Sequence, residues 1–246
     1  NTLSQTGVSA PGPRNAYEVH GSYNTFNNNF IKSYYNGMIV NSNYNTPCVD
    51  IQVNNNIMVD MYQGGIRLWR TKSTAVAETP IKNVQIKGNQ IHVNGQLFGT
   101  NDTYKGGIWG TGYFNLGIDN VEIEDNTVTV DSYVRNKIAG VLLVPDEITV
   151  TGSTQVMSNY KVRNNKFYGT YNGVRVKVGN NCPSFKGLIV EDNEHIDPQL
   201  VALIYSDYQS YTFETTGNGQ ITDLIYRRNK SVGAKNGVVF SGNVYD

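Results

Sequence analysis

Charge is scarce in this 246-residue chain: Asp, Glu, Lys and Arg together make up 16% of it, and 20 basic residues balance 20 acidic ones. A neutral balance argues against a basic nucleic-acid binder and against an acidic tail. No apolar stretch approaches the roughly 20 residues that a membrane-crossing helix needs, so no membrane insertion is expected. Only two cysteines are present, too few for a disulfide scaffold. The chain opens without Met and without a signal-peptide pattern, as a mature product or an excised piece does. The polar character rests instead on amides, hydroxyls and phenols: there are 32 Asn beside 25 Gly and 17 Tyr.

The asparagines are periodic. The pattern apolar, any, apolar, two residues, Asn recurs as Ile51-Gln52-Val53-Asn54-Asn55-Asn56, Val84-Gln85-Ile86-Lys87-Gly88-Asn89 and Val121-Glu122-Ile123-Glu124-Asp125-Asn126. It continues as Tyr160 to Asn165, Leu188 to Asn193 and Leu224 to Asn229, with a weaker first copy, Asn24 to Asn29. The closing Asn residues lie 27, 33, 37, 39, 28 and 36 positions apart. A Gly-led apolar segment follows each: Gly37-Met38-Ile39-Val40, Gly65-Ile66-Arg67-Leu68, Gly107-Ile108-Trp109, Gly140-Val141-Leu142-Leu143, Gly173-Val174-Arg175-Val176 and Gly237-Val238-Val239-Phe240. In the sixth copy Val201-Ala202-Leu203-Ile204 takes that place.

Alternation of period two specifies strands. Asn tolerates left-handed backbone geometry and suits the turn between them. Short strands with one apolar face cannot bury that face alone, but stacked copies share a continuous core, and the repeated Asn would hydrogen-bond from copy to copy as a ladder. The expected fold is all-β: a solenoid of about seven coils with an Asn ladder. A β-sandwich with Asn-rich loops is the alternative.

The Asn-turn motif and the Gly-led strand together resemble the right-handed parallel β-helix of the pectate-lyase-like superfamily, over roughly residues 19–240. That superfamily includes pectate lyases, polygalacturonases, alginate epimerases and bacteriophage tailspikes. Residues 1–18 read as an N-terminal loop or truncated lead-in, and residues 19–246 as the β-helix. Little at either end reads as a cap, so further chain is expected to flank the segment.

Parity along the Gly-led strands gives their outward columns. One reads Ile39, Arg67, Trp109, Leu142, Arg175, Leu203, Val239; the next reads Asn41, Trp69, Thr111, Val144, Lys177, Tyr205, Ser241. Arg67, Trp69, Trp109, Arg175, Lys177 and Tyr205 therefore gather on one surface as candidate substrate-binding residues. Rings can stack on sugar faces and cations can pair with acidic groups of a polymer. The other reading is that Arg and Trp cover each other there. Long segments, 70–80, 90–106, 145–156 and 206–220, surround the same sheet, and Tyr104 and Tyr208 are expected to flank the polymer. Glycoside hydrolysis needs two carboxyls about 5–10 Å apart. Asp146 and Asp207, with Glu147 in reserve, are the acids best placed by spacing, two coils or about 10 Å apart.

The superfamily's own signatures are missing: there is no Asn-Thr-Asp or Asp-Asp pair on the sheet and no Asp cluster suited to calcium. The runs Glu122-Ile123-Glu124-Asp125 and Glu191-Asp192-Asn193-Glu194 read as solvated edges, and the three His lack metal-ligand spacing. His195 falls where other copies place an inward apolar residue. No metal and no cofactor is expected. Cys48 and Cys182, four coils and so about 19 Å apart, are too distant for a disulfide, which spans up to about 7 Å.

The resemblance and the composition imply a tailspike-type body, a homotrimer outside the cell or on a virion surface, that binds and depolymerises a bacterial surface polysaccharide. A stand-alone polysaccharide lyase or epimerase, and a non-catalytic structural or adhesive solenoid, are the alternatives.

Overall fold

The computed structural model describes residues 2–4, 15–42, 46–70, 80–94, 105–111, 118–131, 138–144, 156–179, 184–196, 209–234 and 236–245. Among these, every regular element is a strand, and the strands form three parallel sheets of 8, 8 and 7. Sheet C holds the strands before the Asn turn, from Thr25–Asn27 and Cys48–Asn54 to Gln220–Arg227. Sheet A holds those after it, among them Phe30–Lys32, Ile57–Met61 and Lys230–Val232. Sheet B holds the Gly-led strands, among them Asn36–Ser42, Gly64–Arg70, Lys105–Thr111, Ile138–Val144 and Val174–Val178. Each circuit passes C, A, B and returns one rung further along, and parallel strands so connected wind with right-handed sense. The chain is a right-handed parallel β-helix. Thr2–Ser4 pairs with Phe30–Lys32 in sheet A, and Asn15–Val19 pairs with Asn36–Ser42 in sheet B.

The core is a set of columns. Ile51, Val84, Val121, Tyr160, Leu188 and Leu224 share one register position, and Ile66, Ile108, Val141, Val174 and Tyr211 another. All are buried. The Gly that leads each sheet B strand sits at the corner where the sheet A column of the next coil points inward. A methyl at Gly65 would lie 2.6 Å from Ile91, and one at Gly140 would run into the Phe167 ring. Only glycine leaves that space for the neighbour's side chain.

The Asn turn divides its work between two residues. The left-handed conformation belongs to the residue just before the ladder Asn: Asn28, Asn55, Gly88, Asp125, Asn164, Asp192 and Arg228 all have φ between 52° and 65°. The ladder residues Asn56, Asn89, Asn126, Asn165 and Asn193 are themselves buried. Each side chain uses its full capacity. The Nδ2 of Asn126 donates to the carbonyl of Ile86 at 2.8 Å and to Oδ1 of Asn165 at 3.0 Å. Its Oδ1 accepts from the backbone N and the Nδ2 of Asn89 at 3.0 and 2.9 Å. The same four contacts recur from rung to rung up to Asn229.

A second, exposed ladder lies six residues before the first. Tyr23, Asp50, Asn83, Asn120, Asn159, Gly187 and Asp223 are all left-handed, and Asn120 donates to Asn83, and Asn83 to Asp50, at 2.8 Å.

The acidic runs at the turn are not a solvated edge. Lys87, Glu124, Arg163, Glu191 and Arg227 occupy one column on five successive rungs and alternate in sign. Lys87 lies 2.9 Å from Glu122 and 3.1 Å from Glu124; Glu122 also meets Lys161 at 3.1 Å, and Arg163 pairs with Glu124. The hydrogen bond from Lys87 and then that from Lys161 hold the Glu122 carboxyl below the usual carboxylate range, and the hydrogen bonds to Glu122 and then Glu124 raise Lys87. Cys48 is a free buried thiol, raised by desolvation; Cys182 lies outside the described residues.

Two outcomes are expected. Asn126→Ala removes a buried acceptor from Asn89 and should cost about 1–3 kcal/mol, whereas Asn120→Ala in the exposed ladder should cost less than about 1 kcal/mol, both read by denaturant unfolding. Because the Glu122 carboxyl is depressed in the folded state, its contribution is present above the unfolded value near pH 4.5 and is lost as pH falls through the lower folded value. Glu122→Gln should therefore flatten the acid side of a plot of Tm against pH.

Candidate functional site

The outer face of sheet B is built by register. Ile39, Arg67, Trp109, Leu142 and Arg175 stand opposite one another on consecutive rungs, as do Asn41, Trp69 and Thr111, so these candidates do share one face. The sixth rung differs from expectation: it is Gln209–Thr215, and it places Thr212 beside Arg175 and Glu214 beside Lys177. The positions beside Arg175 and Lys177, expected for Leu203 and Tyr205, are thus held by Thr212 and Glu214. Tyr205, Asp207, Asp146, Glu147, Tyr104 and Tyr208 lie outside the described residues.

In the sixth coil the corner that Gly and an apolar side chain share elsewhere is polar. His195 occupies the column of Phe167, as its inward position in the repeat implies, and is 1% exposed. Its Nε2 donates to the carbonyl of Thr170 at 3.0 Å, and its Nδ1 accepts from the hydroxyl of Ser210 at 2.8 Å. Ser210 also bonds the Ser231 hydroxyl of the last coil. Ser210 thus stands where the neighbouring rungs have Gly and bonds the polar side chains at its corner, His195 and Ser231, rather than making room for an apolar one. The signal in the sequence was the alternation of Tyr211 and Phe213, which point inward, with Thr212 and Glu214, which do not.

The face is less open than its parity suggests. Trp109 is 1% exposed and forms a small apolar cluster with Ala139 and Leu142, separate from the main core. Its ring lies across Gly64, where any Cβ would collide with it. The Arg67 guanidinium sits 4.5 Å from the Trp69 ring centroid and 5.6 Å from that of Trp109. This sandwich is worth about 0.5–2 kcal/mol by cation–π attraction, so Arg and Trp do cover one another here. The indole N–H groups of Trp69 and Trp109 are buried and have no hydrogen-bond partner among the described residues. Further along, Arg175 and Glu214 pair at 3.2 Å, and Lys177 is exposed. The described part of this face presents two carboxylates: Glu214 beside Lys177, and Glu18, which shares a column with Ile39 and Arg67 and accepts from Asn41 at 2.9 Å.

Two other polar clusters lie elsewhere. On sheet C, a small cleft spans three rungs and is lined by Asp50, Gln52, Asn83, Gln85, Asn120 and Glu122. On sheet A, His92 lies between two carboxylates, Nδ1 3.2 Å from Asp60 and Nε2 3.0 Å from Asp131, which ties three coils together. His92 belongs to the strand Gln90–Val93, so the long segment expected from residue 90 starts later. Among the described residues no group of His, Cys, Asp or Glu has the arrangement of a metal site.

No family model and no curated protein matches the sequence. Among solved structures, an alginate lyase from Paenibacillus sp. str. FPU-7 is similar to this chain at a TM-score of 0.47 and 14% identity, over 99% of this chain and 78% of the other.

The Trp109 packing predicts the effect of filling its seat. Gly64→Ala should displace the indole, destabilise the protein by about 1–3 kcal/mol as an overpacked site does, and red-shift the tryptophan emission as Trp109 gains solvent. Unchanged emission and unchanged stability would contradict the described ring position.

Proposed function

We propose that the chain binds a polysaccharide along the outer face of sheet B and depolymerises it. The observation that carries this reading is the fixed set of charges and rings on one sheet: Arg67 against Trp69, and two adjacent rungs further along that bring together Arg175, Glu214 and the exposed Lys177. Rungs repeat at about 4.8 Å, so a linear polymer meets an equivalent position at each step, which a compact metabolite cannot exploit. Within this proposal the ligand is a bacterial surface polysaccharide, and the protein acts as a tailspike-type body, as a homotrimer outside the cell or on a virion. The low charge and the abundance of Asn, Gly and Tyr support that choice over a plant-cell-wall enzyme.

For the chemical step the proposed acids are Asp207 with Asp146 or Glu147. To these the geometry adds Glu214, whose carboxylate is oriented by Arg175 at 3.2 Å. A carboxylate so held can serve as base or as electrostatic stabiliser, and cleavage requires a second proton-transferring group within reach. A non-catalytic structural or adhesive solenoid is the second reading; the burial of Trp109 and Leu142 favours it, since those side chains pack against protein.

Incubation with a panel of bacterial surface polysaccharides, followed by product sizing and by absorbance of unsaturated sugars, tests the reading. At least one polymer should be shortened, unsaturated ends identifying elimination and their absence hydrolysis. Lys177→Ala, an exposed change, should weaken binding about tenfold, the scale of one charge-assisted contact. Glu214→Gln or Asp207→Asn should remove turnover while binding persists. Binding without shortening, or no binding at all, contradicts the proposed depolymerisation and selects the second reading. Sedimentation at several concentrations tests the trimer.

A further inference from the structure

Sheet C carries a cleft whose polar groups the packing of the solenoid leaves unused. It crosses the interior strands Cys48–Asn54, Ile81–Lys87 and Ile118–Glu124, with further coils on both sides along the axis. Its volume is about 170 Å³, and two short columns line it: Asp50, Asn83 and Asn120, and two residues further along each strand Gln52, Gln85 and Glu122. The first column is part of the exposed ladder. Asn83 donates to Asp50 and Asn120 to Asn83, both at 2.8 Å, so each of these amides uses one N–H and keeps the other. The run stops at Asn120, because Asn159 on the next rung donates to Asp119 instead. In the second column Gln52 is exposed and Gln85 half-buried, and neither side chain hydrogen-bonds within the described residues. The other rungs have Thr25, Lys161, Ile189 and Ile225 at this column position, so side-by-side carboxamides occur there only at the cleft.

Polarity decides what fits. No Lys or Arg is among the described lining residues, so an anion would face the Asp50 carboxylate without a compensating charge. Glu122 is already held by Lys87 at 2.9 Å and by Lys161 at 3.1 Å, and no group of described residues has the arrangement of a metal site. Val84 is the one apolar residue of the lining, too little for an apolar ligand. What remains is a set of carboxamides, each presenting N–H and C=O side by side. A hydroxyl both donates and accepts, so two neighbouring ring hydroxyls engage one carboxamide through both of its polar atoms. Rungs repeat at about 4.8 Å, and in an extended 1,4-linked chain each sugar advances by close to one rung, so successive sugars meet Gln52 and Gln85 in turn.

We propose that this cleft is a carbohydrate-binding site separate from the face of sheet B, and that it holds a neutral 1,4-linked hexopyranose chain running along the solenoid axis. Gln52 and Gln85 engage pairs of ring hydroxyls, the remaining N–H groups of Asn83 and Asn120 donate to others, and Asp50 accepts from one. The site binds without cleaving. Both oxygens of Glu122 are occupied, Oε1 by Lys161 and Oε2 by Lys87, which leaves no second carboxyl to move a proton. Binding here does not depend on cleavage at sheet B.

The intact, nitrogen-15-labelled protein is titrated with cellohexaose, mannohexaose and chitohexaose, which differ only at C2, and its side-chain NH2 signals are followed by NMR. At least one hexasaccharide should bind saturably and shift the signals of Gln52, Gln85, Asn83 and Asn120. A galacturonate hexamer should bind there at least about tenfold more weakly, since its carboxylates face Asp50. The double variant Gln52→Ala, Gln85→Ala, its fold checked by unchanged NH2 signals of Asn89 and Asn126, should bind the neutral sugar at least about tenfold more weakly, as the loss of several hydrogen bonds requires. Lys177→Ala on sheet B should leave the affinity of the cleft as it is, so the cleft signals report this site whether or not sheet B cleaves a polymer. No shift of the four signals with any neutral hexasaccharide up to millimolar concentration would overturn the proposal. So would shifts confined to sheet B, equal binding of the galacturonate hexamer, or a folded double variant with the parent's affinity.

Discussion

The architecture depends on a carboxamide whose hydrogen-bonding capacity is used completely. An Asn side chain offers two donors and an acceptor oxygen with two lone pairs, and in each interior rung all four connections run between coils: two donated, two accepted. Buried polar groups are costly unless paired, so a slipped rung would strand both its own amide and its neighbours'. The ladder therefore fixes register, and register fixes everything aligned with it. The aliphatic columns, the corner glycines, the exposed Asx ladder six residues upstream and the alternating charges at the turn all repeat because that one residue repeats.

Local chemistry adapts to this lattice. Where the corner Gly is replaced, His195 and Ser210 supply a hydrogen-bonded substitute, and the strand Gln209–Thr215 joins sheet B all the same. The sheets are alike in backbone and different in surface. Sheet C carries opposite charges on successive rungs, while sheet B carries rings stacked on a guanidinium and an oriented carboxylate. A rigid scaffold of this kind sets distances between coils without help from side-chain packing at the surface, so function can vary by substitution on one face.

Much of this is legible in the residues. The Asn spacing yields the number of coils, the inward columns and the outward parity of Arg67, Trp69, Trp109, Arg175 and Lys177. The sixth rung was hidden because Val201 to Ile204 carries a strand-like pattern at the customary distance, while the described rung has Ser210 where its neighbours have Gly. The exposed ladder was hidden because its positions accept Asp, Asn, Gly and even Tyr, which share a backbone conformation rather than a side-chain type. Parity tells which way Trp109 points but not what lies on it, so its burial required the Gly64 seat to be seen. The alternation of charge was visible residue by residue, yet acids near an Asn turn look solvated until Lys87 and Arg163 are known to lie one rung above and below.

The central claim is that the buried carboxamides, and not the strands alone, hold the coils in register. Hydrogen exchange of the side-chain NH2 groups of Asn89, Asn126 and Asn165, read by NMR in the native state, tests it most directly. If the ladder is as described, these protons exchange only with global unfolding, as slowly as the most protected backbone amides. Exchange at the rate of the exposed Asn83 and Asn120 side chains would show that the ladder opens locally, and would contradict the account.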